Sequence, residues 1–69
     1  MKIYSIEHND QQTEVLFTWE EAWHAYAAKV NELDIADFAE WTNAKDMNLT
    51  AKHNGHIVRL ICHSDWRKL

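Results

Sequence analysis

Proline is missing from this chain altogether, and glycine occurs once, at Gly55. With so little backbone punctuation, no flexible linker, low-complexity tract or internal repeat divides the sequence, and residues 1–69 are expected to form a single compact domain. Cysteine also occurs once. Cys62 therefore has no intrachain partner, and a small domain without a disulfide is expected in a reducing compartment. No stretch approaches the roughly 20 apolar residues needed to span a bilayer, and Met1-Lys2-Ile3-Tyr4 lacks the apolar run of a signal peptide. The expectation is a cytoplasmic protein with no membrane partner. Gly-rich phosphate loops and the short catalytic motifs are absent too, which argues against a self-sufficient enzyme or a cofactor-dependent one.

Large aromatic side chains, in contrast, are plentiful: four Trp, two Tyr and two Phe in 69 residues, with 46% of all residues hydrophobic and a net charge of only -4. Disorder needs the opposite balance, few aromatics and a high net charge, so a folded core is expected even at this length. Charge is unevenly placed. Residues 1–46 carry ten acids against three bases, and residues 47–69 one acid against four bases.

Residues 2–8 alternate, with Tyr4 and Ile6 on one side, and Thr13 to Phe17 alternates again with Val15 and Phe17 on one side. Pairing Tyr4 with Phe17 and Ile6 with Val15 leaves a four-residue polar loop, Asn9-Asp10-Gln11-Gln12, and gathers four apolar side chains on one face. Ile3 and Leu16 then point the other way. Thr18-Trp19-Glu20-Glu21 has the form of a capping box, which starts a helix at Trp19. Trp19, Ala22, Trp23, Tyr26, Ala27, Val30 and Leu33 share one helical face, a sustained stripe for burial. Asp34 then reads as the cap of a second, shorter helix over residues 35–44, with Ile35, Phe38, Ala39 and Thr42 inward.

Asn54-Gly55 is the preferred centre of a two-residue type I′ hairpin. Counting outward from it pairs Ala51 with Val58, Leu49 with Leu60 and Met47 with Cys62 on an apolar face. The opposite face then pairs Lys52 with Ile57, Thr50 with Arg59, Asn48 with Ile61 and Asp46 with His63, as a half-exposed antiparallel sheet requires. The expected architecture is α+β, a ββααββ two-layer sandwich in which an antiparallel sheet of two hairpins is covered by one long and one short helix. The hairpins are expected to join into one sheet.

Among residues that could carry chemistry, His53, His56, Cys62 and His63 are zinc-ligand types at short spacing. The hairpin register separates them, with His53 and His56 at the tip and Cys62 several residues away on the apolar face, so no metal site is expected. Cys62 reads as a core thiol rather than a nucleophile. The carboxylate pairs Glu20 with Glu21 and Asp37 with Glu40 fall on outer faces or first turns with no evident pocket, which leaves no candidate for acid-base catalysis.

Glu32, Asp34, Asp37, Glu40 and Asp46 form an acidic run opposed only by Lys45 and bracket Trp41, while Trp41 and Trp66 lie outside the assignable core stripes. Tryptophan beside charge is typical of an interface centre. The expected function is therefore a small acidic, non-enzymatic protein-binding module acting by occlusion or adaptation. Its contact residues are Asp34, Asp37, Glu40, Trp41 and Trp66, its partner a protein with a basic surface. By analogy of size and acidity, an inhibitor of a nucleic-acid-binding protein, of the viral or mobile-element type, fits this description. The competing expectation is a nucleic-acid-binding domain using Lys52, Arg59, Arg67 and Lys68 of the C-terminal hairpin and tail, which the acidic composition opposes. A third is a homodimer paired through an open sheet edge.

Overall fold

A computed structural model describes residues 2–63 of the chain. Strand β1 (Ile3–His8) and strand β2 (Gln11–Leu16) form a hairpin, helix α1 (Trp19–Glu32) follows, and strands β3 (Leu49–His53) and β4 (His56–His63) form a second hairpin. The hairpins join through antiparallel pairing of β1 with β4, giving a four-stranded sheet in the order β2-β1-β4-β3. This is the expected α+β arrangement.

The second hairpin has the register its turn dictates. Asn54 and Gly55 both adopt positive φ, 52° and 81°, as a type I′ turn requires, and Leu49 pairs with Leu60 and Ala51 with Val58. The regular ladder stops at Leu49, short of the expected Met47 and Cys62 pair. There the Asn48 side chain accepts the Cys62 N–H at 2.8 Å, a side-chain substitute for the lost backbone partner.

In the first hairpin the register differs by one residue from the expected one. Asn9 and Asp10 take φ of 50° and 69°, so the turn is a tight two-residue turn and His8 pairs with Gln11. A β-bulge then inserts Thr13, whose hydroxyl donates to the Ile6 carbonyl at 3.3 Å, and beyond it Ile6 faces Glu14 and Tyr4 faces Leu16. Because side chains alternate, that shift turns Leu16 toward the core and leaves Phe17 61% exposed and Val15 exposed.

Helix α1 begins where its cap places it. The Thr18 carbonyl accepts the Ala22 N–H at 3.0 Å and the Thr18 hydroxyl oxygen accepts the Glu21 N–H at 3.1 Å. The Glu21 carboxylate closes the box on the Thr18 hydroxyl at 2.9 Å rather than on the Thr18 amide. Ala22, Tyr26 and Val30 are fully buried against Tyr4, Ile6, Leu49, Ala51, Val58 and Leu60 of the sheet. Trp19 packs beside this core, its ring 6.0 Å from Tyr4 in an edge-on arrangement.

The expected second helix over 35–44 is replaced by a 3₁₀ turn at Ala36–Phe38 and an extended path beyond it. Asp34 does not cap a new helix. It adopts φ of 58° just past the end of α1 and closes a Schellman motif, in which the Ile35 N–H donates to Val30 O at 2.9 Å and the Asp34 N–H to Asn31 O at 3.1 Å. Ile35 and Val30, the apolar pair of that motif, are both buried. The chain then runs along β3: Ala39 forms a bridge with Ala51, the Glu40 N–H donates to Thr50 O at 3.0 Å, and the Glu40 carboxylate accepts the Thr50 N–H at 2.8 Å. Helical spacing of apolar residues yields here to a sheet edge whose polar groups need partners.

Replacing Asp34, an L-residue in the left-handed region, tests this reading. Asp34→Gly is expected to raise the unfolding free energy by about 0.5–1 kcal/mol, and Asp34→Val to lower it by about 1–2 kcal/mol, in urea titrations followed by tryptophan fluorescence.

Candidate functional site

The segment from Ala39 to Asn48 contains no regular element and packs against α1 at Glu20, Trp23 and Tyr26. Tyr26 holds it in place: its buried hydroxyl donates to the Glu40 carbonyl at 3.1 Å. Burial, and then the nearby Glu40 carboxylate, pushes the Tyr26 phenol up to about 12, so it stays a neutral donor. Trp41 follows directly and packs on this tyrosine, ring centroids 5.4 Å apart, and on Trp23 of α1 at 5.6 Å. Its indole N–H reaches the Ala36 carbonyl at 3.4 Å.

Beside these packed rings lies an open groove of about 510 Å³, lined by Trp23, Trp41, Thr42 and Asn43. Trp41 is 45% exposed, and Phe38 and Met47 are exposed nearby in sequence at 53% and 47%. Three large apolar groups thus reach solvent from ten consecutive residues. Asp34 and Asp37 are exposed and enter no ion pair among the described residues. Glu32 pairs with Lys29 at 3.4 Å. Glu40, grouped with the contact residues by its sequence position, has its carboxylate on the Thr50 N–H and belongs to the scaffold of the groove. Trp66, Arg67 and Lys68 lie outside the described residues.

Trp23 falls within the helical stripe read as core, yet it is only half-buried, because the narrow stripe of Ala22, Tyr26 and Val30 suffices to cover the sheet. Its role beside Trp41 had no local signal, since it depends on where the segment after α1 runs.

On the far side of the sheet, Lys52 and Arg59 lie on one face as expected from the register. The same pairing sets β1 beside β4, which brings the Arg59 guanidinium to 3.5 Å from Asp10 and 4.0 Å from Glu7. These carboxylates reduce the positive field available to a phosphate backbone.

The two ends of β4 separate the remaining reactive side chains. At its end, the His63 ring lies 2.9 Å from the buried Ser5 hydroxyl, and Cys62 is a free, half-buried thiol whose pKa burial pushes up, making it a poor nucleophile. At its start, His56 meets His8 of β1, and His53 stacks on Phe38 with ring centroids 3.6 Å apart. Among the described residues no group of three or more His, Cys, Asp or Glu is arranged to hold a metal ion. The candidate carboxylate pairs do not converge: Glu21 faces Thr18, and Glu20 lies 3.3 Å from Lys45. Glu20 is held below the usual carboxylate range by its own backbone N–H and then by Lys45.

Comparison with known proteins finds no matching family model, no matching curated protein and no matching solved structure. No helix among the described residues is long and apolar enough to cross a membrane.

Asp46 ties the far end of the irregular segment to the sheet. Its carboxylate accepts from Lys2 Nζ at 2.7 Å and from the Tyr4 hydroxyl, while its backbone takes φ of 62°. The Lys2 hydrogen bond, and then that of Tyr4, holds the Asp46 carboxyl below its ordinary value of 3.8. Lys2 in turn is raised above 10.5 by the Asp46 hydrogen bond. Burial, and then Asp46, also keeps the Tyr4 phenol well above its usual range. The contribution to stability is therefore complete above pH 3.8, is lost as pH falls through the lowered Asp46 value, and is lost at the alkaline end as Lys2 deprotonates above 10.5. Asp46→Asn is expected to lower the thermal midpoint at neutral pH, with the difference from wild type shrinking as pH drops below 3.8 in a calorimetric series.

Proposed function

We propose that this chain is a non-enzymatic protein-binding module that engages a partner with a basic surface through the groove lined by Trp23 and Trp41, acting by occlusion or adaptation. The observation that carries the reading is the open groove lined by Trp23 and the exposed Trp41, in a stretch that also exposes Phe38 and Met47, with Asp34 and Asp37 unpaired among the described residues. Indole rings in a groove supply area that leaves water on association, and tryptophan is enriched among the residues that dominate binding energy. Carboxylates near them steer a cationic partner and set its orientation more than they set affinity. An inhibitor that covers the nucleic-acid-binding site of its target is the form of occlusion that suits the chain's acidity.

A nucleic-acid ligand is the less favoured alternative, because Arg59 already faces Asp10 and Glu7. The experiment is affinity capture with the purified wild type, identification of the retained protein, and titration of that protein against variants. Trp41→Ala with Asp37→Lys is expected to weaken binding by about 30-fold or more, the effect of losing an interface anchor. Lys52→Glu on the opposite sheet face is expected to leave it unchanged. Equal affinity for the wild type and the Trp41→Ala, Asp37→Lys variant rejects the surface assignment. Capture of nucleic acid that is released steeply by salt rejects the class of partner.

A further inference from the structure

Three imidazoles form a row across three adjacent strands: His8 on β1, His56 on β4 and His53 on β3. Strand alternation places all three on the face that carries Tyr4, Ile6, Ala51, Val58 and Leu60, and all three are half-buried. Two hydrogen bonds clamp the hairpin tips that present them. The Asn9 N–H donates to Ile57 O at 2.9 Å, and the Asn9 side-chain oxygen accepts the Ile57 N–H at 2.8 Å. Backbone geometry on both sides of the His8 and His56 pair is thereby fixed.

His8 Nε2 and His56 Nδ1 lie 3.0 Å apart, with ring centroids 5.2 Å apart and planes inclined by 32°. In this hydrogen bond one nitrogen donates and the other offers its lone pair. If the donor ring carries its proton on its other nitrogen, both inner nitrogens present lone pairs toward the same space.

We propose that His8 and His56 form a two-imidazole site for a divalent transition-metal cation of the kind that takes imidazole ligands, Ni²⁺, Cu²⁺ or Zn²⁺. The two nitrogens already lie 3.0 Å apart, and a turn of each ring about its Cβ–Cγ bond aims both lone pairs at one point off the line between them. His56 binds through Nδ1 and His8 through Nε2. His53, the cross-strand neighbour of His56, is stacked flat on Phe38 with planes 8° apart and stays outside the coordination sphere. Water completes the coordination. Gln11 and Val58, the ladder partners of His8, bring no cation to oppose the charge. The site is independent of the partner-binding groove.

The test is titration of the untagged full chain with NiCl₂ and, separately, ZnCl₂, followed by calorimetry and by the imidazole proton resonances. Saturable binding of one Ni²⁺ per chain is expected, with the His8 and His56 resonances broadening before those of His24 and His63. His8→Gln or His56→Gln is expected to weaken binding at least as much as the about 10–100-fold cost of losing an outer-shell partner. His24→Gln is expected to leave it unchanged. If either glutamine variant loses its cooperative unfolding transition, the wild-type resonances decide alone. Absence of saturable binding, retention of affinity in a folded His8→Gln, His56→Gln double variant, or broadening led by another histidine each overturns the proposal.

Discussion

The antiparallel pairing of β1 with β4 is the interaction on which the remainder of the molecule depends, because an isolated two-stranded hairpin is marginal in water and this pairing makes four strands of two hairpins. It joins residues as far apart in sequence as Ile3 and His63. By setting Tyr4 and Ile6 beside Leu60 and Val58 it creates an apolar face wide enough to be covered by α1. The same ladder puts Ser5 beside His63 at one end and His8 beside His56 at the other, and it draws Arg59 toward Glu7 and Asp10. Each of these contacts is a consequence of one register.

With the sheet closed at its centre, its outer edges are treated differently. The Thr13 bulge disrupts the ladder in the edge strand β2, whereas β3 is capped by the chain itself through Ala39 and Glu40. That cap requires residues 34–48 to leave helical geometry, and the departure is what makes a groove. Tyr26 anchors the segment from the buried side, Asp46 ties its far end to Lys2 and Tyr4, and the length between them carries Trp41 outward against Trp23. Holding and presenting residues are thus neighbours along one stretch: Glu40 bonds the edge of β3, and Trp41 packs on Trp23 and Tyr26 while remaining partly exposed.

Much of this was legible locally. Thr18 and Glu21 mark the start of α1, and the spacing of Ala22, Tyr26 and Val30 marks its buried face, because capping and helical periodicity involve residues within a few positions of each other. Asn54-Gly55 specifies the second hairpin for the same reason: the turn chemistry and the flanking alternation agree. In the first hairpin they disagree. Alternation over Val15 and Phe17 favours one register, and the left-handed Asn9-Asp10 turn with a bulge at Thr13 imposes another, which no reading of apolar spacing anticipates. Asp34 illustrates a similar ambiguity, since aspartate is suited both to an N-cap and to the left-handed position after a helix.

Local chemistry therefore determined an α+β chain with a capped helix, a type I′ hairpin and an exposed Trp41 within an acidic run. Only the tertiary structure decided that residues 35–44 leave the helical path to serve the edge of β3, that Trp23 opens onto a groove, and that His8 lies against His56. The physical reason is range: propensity and periodicity act between near neighbours, whereas a sheet edge in need of hydrogen bonds is presented by residues that the chain supplies much later.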